Sequence, residues 1–129
     1  MIVGSNIIYE DTKFYVEIED SEIPWLKIFT KEKYYELGDM PKELRREMWE
    51  IYDIIEQEMK NYFNPKKINM ASFANILPRV HIHIMARFEE DSFFPEPMWG
   101  MKQRESKLIL KDKKEFYKKI FVKLSELQK

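Results

Sequence analysis

The two histidines of the chain, His81 and His83, lie two residues apart in a segment, 79–87, that has the character of a β-strand. Residues two apart in a strand project from the same face, so the imidazoles would lie side by side. The same face would carry Arg79, Met85 and Arg87, and the opposite face would carry only Val80, Ile82, Ile84 and Ala86. We expect the apolar face to pack on helices and the histidine face to point away from the core.

Two imidazoles and two guanidiniums on one face predict a site for phosphate chemistry. A neutral imidazole, with an ordinary pKa of about 6.5, is a good nucleophile toward phosphorus. A second imidazole, about 7 Å further along the face, would hydrogen-bond the phosphoryl oxygens as charge develops on them. Arg79 or Arg87 would neutralise the remaining charge. This chemistry requires neither a metal nor a cofactor.

Other interpretations of the histidine pair remain open. His81 and His83 can be ordinary surface residues, or one of them can be a buried residue with backbone partners. The pair can also bind a metal. Zinc usually takes three or four protein ligands, and only carboxylates such as Glu90 or Asp91 could complete such a site here.

Two predicted strands and a long helix precede the histidines. Phe14, Val16 and Ile18 alternate with polar residues, and Trp25–Thr30 is a second strand candidate that would pair with the first in an antiparallel manner. Pro41 is suited to the first turn of a helix, and Asn64-Pro65 would end it. Residues at spacings of three and four would form the buried stripe of this helix: Leu44, Met48, Ile51, Ile55, Met59 and Tyr62.

The remaining segments complete an α+β pattern. Residues 67–73 and 79–88 are strand candidates joined by a short connection, residues 89–100 form an aromatic and proline-rich arm, and Lys113–Leu127 has helical spacing. The order of elements predicts a mainly antiparallel sheet of about five strands, a long helix on one face and a C-terminal helix. The length predicts one domain, 1–129, in which 89–129 form the C-terminal arm and helix.

The composition limits the function. The 22 basic and 23 acidic residues nearly balance, so no overall field would attract nucleic acid or a membrane surface. The absence of cysteine excludes disulfides and thiolate chemistry and fits a reducing compartment. Residues 1–6 lack the features of an export signal, and no apolar run would cross a bilayer. We therefore expect a cytoplasmic protein with a small-molecule partner.

The segment 75–100 resembles the histidine triad family, whose motif is His-x-His-x-His followed by apolar residues. Aligned on this motif, His81 takes the place of the middle histidine, His83 that of the third, and Arg79 that of the first. The residues before the strand, 75–78, and the ending 94–100 with its Trp-Gly are similar to a bacterial branch that resembles the diadenosine polyphosphate hydrolases. Upstream, 8–11 and 24–30 resemble the early strands of the family.

The resemblance implies a nucleotide hydrolase or nucleotidyl transferase that cleaves at the α-phosphate. His81 would be the nucleophile that forms a covalent nucleotidyl intermediate, and His83 would bind the α-phosphoryl group. The carbonyl of Arg79 would hold His81 in its reactive tautomer, and the arginine side chain would bind a phosphate. The family is typically homodimeric, with a sheet that continues across the interface, so Trp99 would reach the site of the partner.

Three positions depart from the family pattern. Arg79 stands where the first histidine stands in the family and cannot act as an acid or base. Ile76 replaces a Ser or Thr that assists the leaving group, and Asn75 is the nearest polar substitute. Glu19 or Asp20 stands where many relatives have an asparagine, and its carboxylate would still accept hydrogen bonds from the ribose hydroxyls. The departures leave two alternatives to the enzyme: a nucleotide-binding protein with negligible turnover, and a metal-binding protein that uses the two histidines.

Overall fold

The computed structural model describes residues 6–127 and contains an open antiparallel sheet with helices. The strands are β1 (Ile7–Glu10), β2 (Phe14–Ile18), β3 (Trp25–Thr30), β4 (Lys67–Ala71) and β5 (His81–Arg87). The helices are α1 (Lys42–Phe63) and α2 (Lys113–Leu127), with a 3-10 turn at Leu37–Asp39. The prediction of an α+β fold with a five-stranded sheet is confirmed. The absence of an export signal was predicted from residues 1–6. Of these, residues 1–5 lie outside the described part of the chain.

The order of the strands in the sheet is β1-β2-β3-β5-β4, and every neighbouring pair is antiparallel. The predicted pairing of β2 with β3 is confirmed. The sequence order is broken at β5, which lies between β3 and β4. This insertion makes the histidine strand an inner strand, with β3 on one side and the edge strand β4 on the other.

Helix α1 forms where the periodicity predicts it. It begins directly after Pro41 and ends at Phe63. The next residue, Asn64, adopts the left-handed conformation with φ of 49° and donates its N–H to the Lys60 carbonyl. A left-handed residue followed by proline is a common helix stop. Four of the predicted stripe residues are fully buried: Met48, Ile51, Ile55 and Met59. Along α2, Phe116, Ile120 and Leu124 are buried at the predicted spacing. Neither helix within residues 6–127 has the length and apolar character needed to span a membrane.

The two faces of β5 are both covered, in different ways. Ile82, Ile84 and Ala86 belong to the main core with α1, as predicted for the apolar face. His81 and His83, on the other face, are only 7% and 9% exposed. The histidine face therefore points away from the main core, as predicted, but aromatic side chains from β3 and from the arm pack against it and cover most of both imidazoles.

Candidate active site

A cleft of about 460 Å³ lies over the centre of the sheet, on the face that carries the histidines. Strands β3 and β5 form its floor, and the connection after β4 forms one wall. A larger groove of about 720 Å³ lies at the end of α1 but contains neither histidine. The residues that line the histidine cleft are Glu19, Lys27, Phe29, Phe73, Ala74, Asn75, Ile76, Leu77, His81, His83 and Trp99.

The register between β3 and β5 places one side chain of β3 directly beside each histidine. Phe29 is paired with His81, and Lys27 is paired with His83. The rings of Phe29 and His81 are stacked, with centroids 4.8 Å apart and an interplanar angle of 12°. Tyr15 on β2 stacks on the other side of Phe29, at 4.9 Å. This aromatic stack fixes the plane of the His81 ring.

A backbone contact determines which nitrogen of His81 carries the proton. Its Nδ1 lies 2.9 Å from the carbonyl oxygen of Arg79. A carbonyl can only accept a hydrogen bond, so Nδ1 must be the donor. In neutral imidazole the lone pair is then on Nε2, which is the form that a nucleophile requires. The Ser72 hydroxyl donates to the His81 carbonyl at 2.9 Å and ties the strand to the cleft wall.

His83 is held close to His81 and is kept neutral by its surroundings. The two ring centroids are 4.9 Å apart, less than the strand rise predicts. Trp25 donates its indole N–H to Nδ1 of His83 at 3.0 Å. Burial lowers the pKa of His83 to about 4, and the charges of His81 and Lys27 act in the same direction while Glu19 opposes them.

The depressed pKa of His83 predicts a loss of stability in mild acid. Folded His83 takes up a proton near pH 4 and unfolded histidine near 6.5, so the unfolded state binds more protons between these values. The free energy of unfolding should fall as the pH is lowered through this window, by on the order of 3 kcal/mol. Urea unfolding at pH 7 and pH 4.5 measures the loss. The loss should be smaller in His83→Gln, and an equal loss in both proteins would contradict the assignment.

Lys27 is the cation of the cleft and was not predicted from the sequence. Its Nζ lies 2.9 Å from a carboxylate oxygen of Glu17 and 2.9 Å from one of Glu19, and its side chain is 15% exposed. Burial works to lower the pKa of Lys27, but the hydrogen bonds that it donates to both carboxylates outweigh burial and raise the pKa above its ordinary value. Lys27 is therefore charged at neutral pH.

Of the residues near β2 and at the rim that were predicted to bind the nucleotide, three line the cleft and one does not. Glu19, Asn75 and Trp99 line the cleft. Asp20 does not: it is exposed, and its charge acts on Lys113 of α2. Of the two residues that were predicted to hold a ribose, Glu19 is therefore the one that lies beside the histidines.

Arg79 contributes its backbone to the cleft, and its side chain is engaged elsewhere. One guanidinium N–H donates to the Thr30 carbonyl, and the guanidinium lies 5.5 Å from the centroid of the Phe29 ring. Nε of Arg79 is buried without a hydrogen-bond partner. Arg79 is not among the residues that line the histidine cleft, so the contact between its guanidinium and a phosphate stays a prediction.

Arg87 has a structural position and not the substrate-binding position predicted from the sequence. It is 1% exposed, and its guanidinium donates two hydrogen bonds to Asp91 and others to Asn69 and to the Glu96 carbonyl. The arm covers this end of the strand, so Arg87 lies on the predicted face but has no access to the cleft. Burial works to raise the pKa of Asp91, but the hydrogen bonds that it accepts from Arg87 and from backbone N–H groups outweigh burial and lower the pKa.

Two further expectations concern Trp99, which would reach the site of the partner, and Asp91, which could help to complete a metal site. The Trp99 ring packs edge-on against His83 of its own chain, with centroids 5.0 Å apart. Asp91, which was considered as an added metal ligand, is committed to Arg87. Among residues 6–127, no three His, Asp or Glu side chains are grouped closely enough to hold a metal ion.

The fold and the site define a class of protein with an open antiparallel sheet and paired histidines on an inner strand. Comparison with known families shows which family this is. The family model for the HIT domain matches residues 3–90, about two thirds of the chain, and the chain belongs to this family. Membership indicates a protein that binds nucleotides or acts as a hydrolase or transferase. A comparison with curated proteins gave no significant match.

Solved structures of histidine triad proteins share the fold. The protein from Marinobacter aquaeolei VT8 is 19% identical, with a TM-score of 0.74 over 95% of this chain and 91% of that chain. The protein from Bradyrhizobium japonicum is 22% identical, with a TM-score of 0.72 over 89% and 88%. The protein from Sinorhizobium meliloti 1021 is 21% identical, with a TM-score of 0.71 over 88% and 85%.

Proposed function

We propose that the protein hydrolyses nucleoside polyphosphates, or transfers a nucleotidyl group from them, through a covalent intermediate on His81. The observation that carries the proposal is the 2.9 Å contact between Nδ1 of His81 and the Arg79 carbonyl. It leaves the lone pair on Nε2 of a residue that lines the cleft. The contact involves the backbone, so it does not depend on which side chain occupies position 79.

In the first step, Nε2 of His81 attacks the α-phosphorus. The N–P bond forms, and the bond from phosphorus to the bridging oxygen breaks with its electron pair going to the leaving group. The imidazole becomes positively charged, and the Nδ1–H bond to the Arg79 carbonyl stabilises that charge. His83, next to His81, donates to a non-bridging oxygen as charge develops there.

In the second step, water attacks the same phosphorus. The P–N bond breaks, the electron pair returns to Nε2, and the water proton leaves with the nucleoside monophosphate or passes to solvent. An acceptor other than water would make the same site a transferase. Both steps use the same residues, because the phosphoryl group stays bound to His81 between them.

The leaving group favours a polyphosphate substrate. Arg79 is not an acid at neutral pH, and Ile76 is 99% exposed and apolar. A phosphate leaving group departs as a stable anion and needs no proton from the protein, unlike an alcohol or amine. Diadenosine polyphosphates and related anhydrides are therefore the substrates that we expect. Glu19 would accept hydrogen bonds from the ribose hydroxyls, and Asn75 and Trp99 would contact the nucleotide at the rim.

Lys27 is expected to supply the cation for the phosphates. In Lys27→Met, we expect KM to rise about tenfold with a smaller change in kcat, since the cation is lost and Glu17 and Glu19 remain to repel the anion. Steady-state kinetics measure the effect. Lys31→Met is the matched control, because Lys31 pairs with Glu10 outside the cleft. Equal KM values in the two variants would exclude this role for Lys27.

The site of attack can be tested by isotope incorporation. Diadenosine tetraphosphate is hydrolysed in water enriched in oxygen-18, and the products are weighed by mass spectrometry. Attack at the α-phosphate places the label in the adenosine monophosphate. Label in the polyphosphate product, or the absence of hydrolysis, would contradict the proposed reaction.

A nucleotide-binding protein with negligible turnover is the second candidate, and the apolar, fully exposed Ile76 at the rim favours it. Calorimetry with adenosine monophosphate, together with the product assay, separates the candidates. Binding without any product under prolonged incubation would support the second.

We also propose that the protein is a homodimer. β4 is an edge strand of the sheet, and Met70 on it and Phe73 beyond it are 47% and 55% exposed. An unpaired edge with apolar side chains can join the same edge of a second copy and continue the sheet. Sedimentation equilibrium should give twice the mass of the chain, and a monomer mass at micromolar concentration would contradict the proposal.

A further inference from the structure

The hydrogen bond from Trp25 to His83 is the feature of the cleft that the proposed reaction does not yet use. The indole nitrogen lies 3.0 Å from Nδ1 of His83. An indole N–H can only donate, so Nδ1 must present its lone pair. The proton of neutral His83 is then on Nε2.

His81 has the opposite arrangement. Its partner, the Arg79 carbonyl, can only accept, so the proton is on Nδ1 and the lone pair is on Nε2. Two histidines on one strand face, with ring centroids 4.9 Å apart, thus present one bare Nε2 and one protonated Nε2. A nucleophile needs the first, and a donor to a phosphoryl oxygen needs the second.

The surroundings keep the Trp25 indole in place. Trp25 is paired with Met85 on β5, two positions beyond the pair of Lys27 and His83 and on the same face, so its side chain reaches His83 diagonally. The Trp99 ring packs edge-on against the Trp25 ring at 5.2 Å. Trp25 itself is half-buried. The donor is therefore fixed by a strand and by the arm.

The charged groups around His83 also favour its neutral form. His81 faces it on β5, Lys27 faces it on β3, and Glu19 faces it from the end of β2. Burial, His81 and Lys27 disfavour the imidazolium, and Glu19 alone favours it. A protonated Nδ1 would in addition meet the indole N–H donor to donor. Near neutral pH, His83 therefore has one proton, and Trp25 decides where it resides.

We propose that Trp25 is a positioning residue that holds His83 in the Nε2–H tautomer, so that His83 donates to the phosphoryl group that His81 attacks. The assignment of the tautomer concerns the free protein. Its use in the reaction rests on the proposed function. In the absence of this bond, His83 would divide between two tautomers, one of which turns a lone pair toward the phosphate and repels it.

Nitrogen-15 NMR tests the proposal because it shows which ring nitrogen of each histidine is protonated, and packing alone does not determine this. In protein labelled at histidine, two-bond correlation spectra at pH 7.5 separate protonated from unprotonated ring nitrogens. We expect His83 to show a protonated Nε2 and His81 a protonated Nδ1. The reverse pattern at His83 would overturn the proposal with no variant needed, so a variant that fails to fold does not block the test.

Two matched variants isolate the hydrogen bond. Trp25→Phe keeps a ring against His83 but removes the donor, and Trp99→Phe alters a ring that contacts His83 edge-on. We expect the His83 nitrogen shifts of Trp25→Phe to move toward the average of both tautomers, with a higher pKa of His83. Those of Trp99→Phe should keep the wild-type tautomer. Unchanged nitrogen shifts in Trp25→Phe would overturn the proposal.

Kinetics separate this inference from the proposed function. If the wild type hydrolyses diadenosine tetraphosphate, Trp25→Phe should lower kcat about tenfold with little change in KM. An unchanged kcat would overturn the catalytic half of the inference. If the wild type shows the predicted tautomers and no turnover, the proposed function fails while the tautomer assignment stands.

Discussion

His81→Asn is expected to lower kcat for nucleotide hydrolysis at least about 10⁴-fold, because it removes Nε2, the atom that forms the covalent bond to phosphorus in the proposed reaction. Asparagine can still hydrogen-bond the Arg79 carbonyl and is small enough for the stack on Phe29. The fold should therefore be retained, as thermal unfolding would show. Product formation measured under substrate saturation gives kcat directly.

His83→Gln is the comparison that separates attack from stabilisation. Glutamine keeps an N–H donor on a side chain of similar length, so we expect a loss of about 10²-fold, which is smaller than that of His81→Asn. If the two variants were equally impaired, the division between a nucleophile and a donor would be wrong. Near wild-type activity in His81→Asn would exclude the mechanism altogether.

Arg87→Met is expected to destabilise the protein by about 3–5 kcal/mol, because it leaves the Asp91 carboxylate buried without its cation. Asp91 is 0% exposed and Arg87 is 1% exposed. Methionine fills most of the volume of the arginine stem, so the lost pair and not a cavity dominates. Urea unfolding followed by circular dichroism gives the change in free energy.

Arg46→Met is the matched control for this prediction. Arg46 pairs with Glu43 on the surface of α1, with both side chains about 70% exposed. Water screens such a pair, so its loss should leave the unfolding midpoint nearly unchanged. Adding Asp91→Asn to Arg87→Met should recover part of the stability, since the buried charge is removed. A midpoint for Arg87→Met equal to that of the control would show that the buried pair does not hold the arm.

Local periodicity was sufficient to predict the helices and the two faces of β5. The stripe from Met48 to Met59 and the spacing of Phe116, Ile120 and Leu124 follow from the helical repeat alone. The apolar face of β5 follows from alternation. These features depend on residues close in sequence, so the chain itself specifies them without knowledge of the sheet order.

The neighbours of the histidines depend on the strand order and could not be predicted. Trp25 and Lys27 reach His83 only because β5 lies next to β3, far from it in sequence. Alternation along β3 places Trp25, Lys27 and Phe29 on one face. If the pairing of β3 with β5 had been known, all three could have been predicted as neighbours of the histidines. Arg87 was misassigned for a related reason. The path of the arm that covers it is set by Asp91, which accepts from Arg87 and from the backbone of the arm.

Trapping the nucleotidyl intermediate would test the central claim most directly. The protein is mixed with diadenosine tetraphosphate, quenched within one turnover under alkaline conditions that preserve a P–N bond, digested and mapped by mass spectrometry. The account predicts an added adenosine monophosphate group on the peptide that contains His81, localised to that residue and absent in His81→Asn. Turnover with no adduct at any time point, or an adduct on another residue, would contradict it.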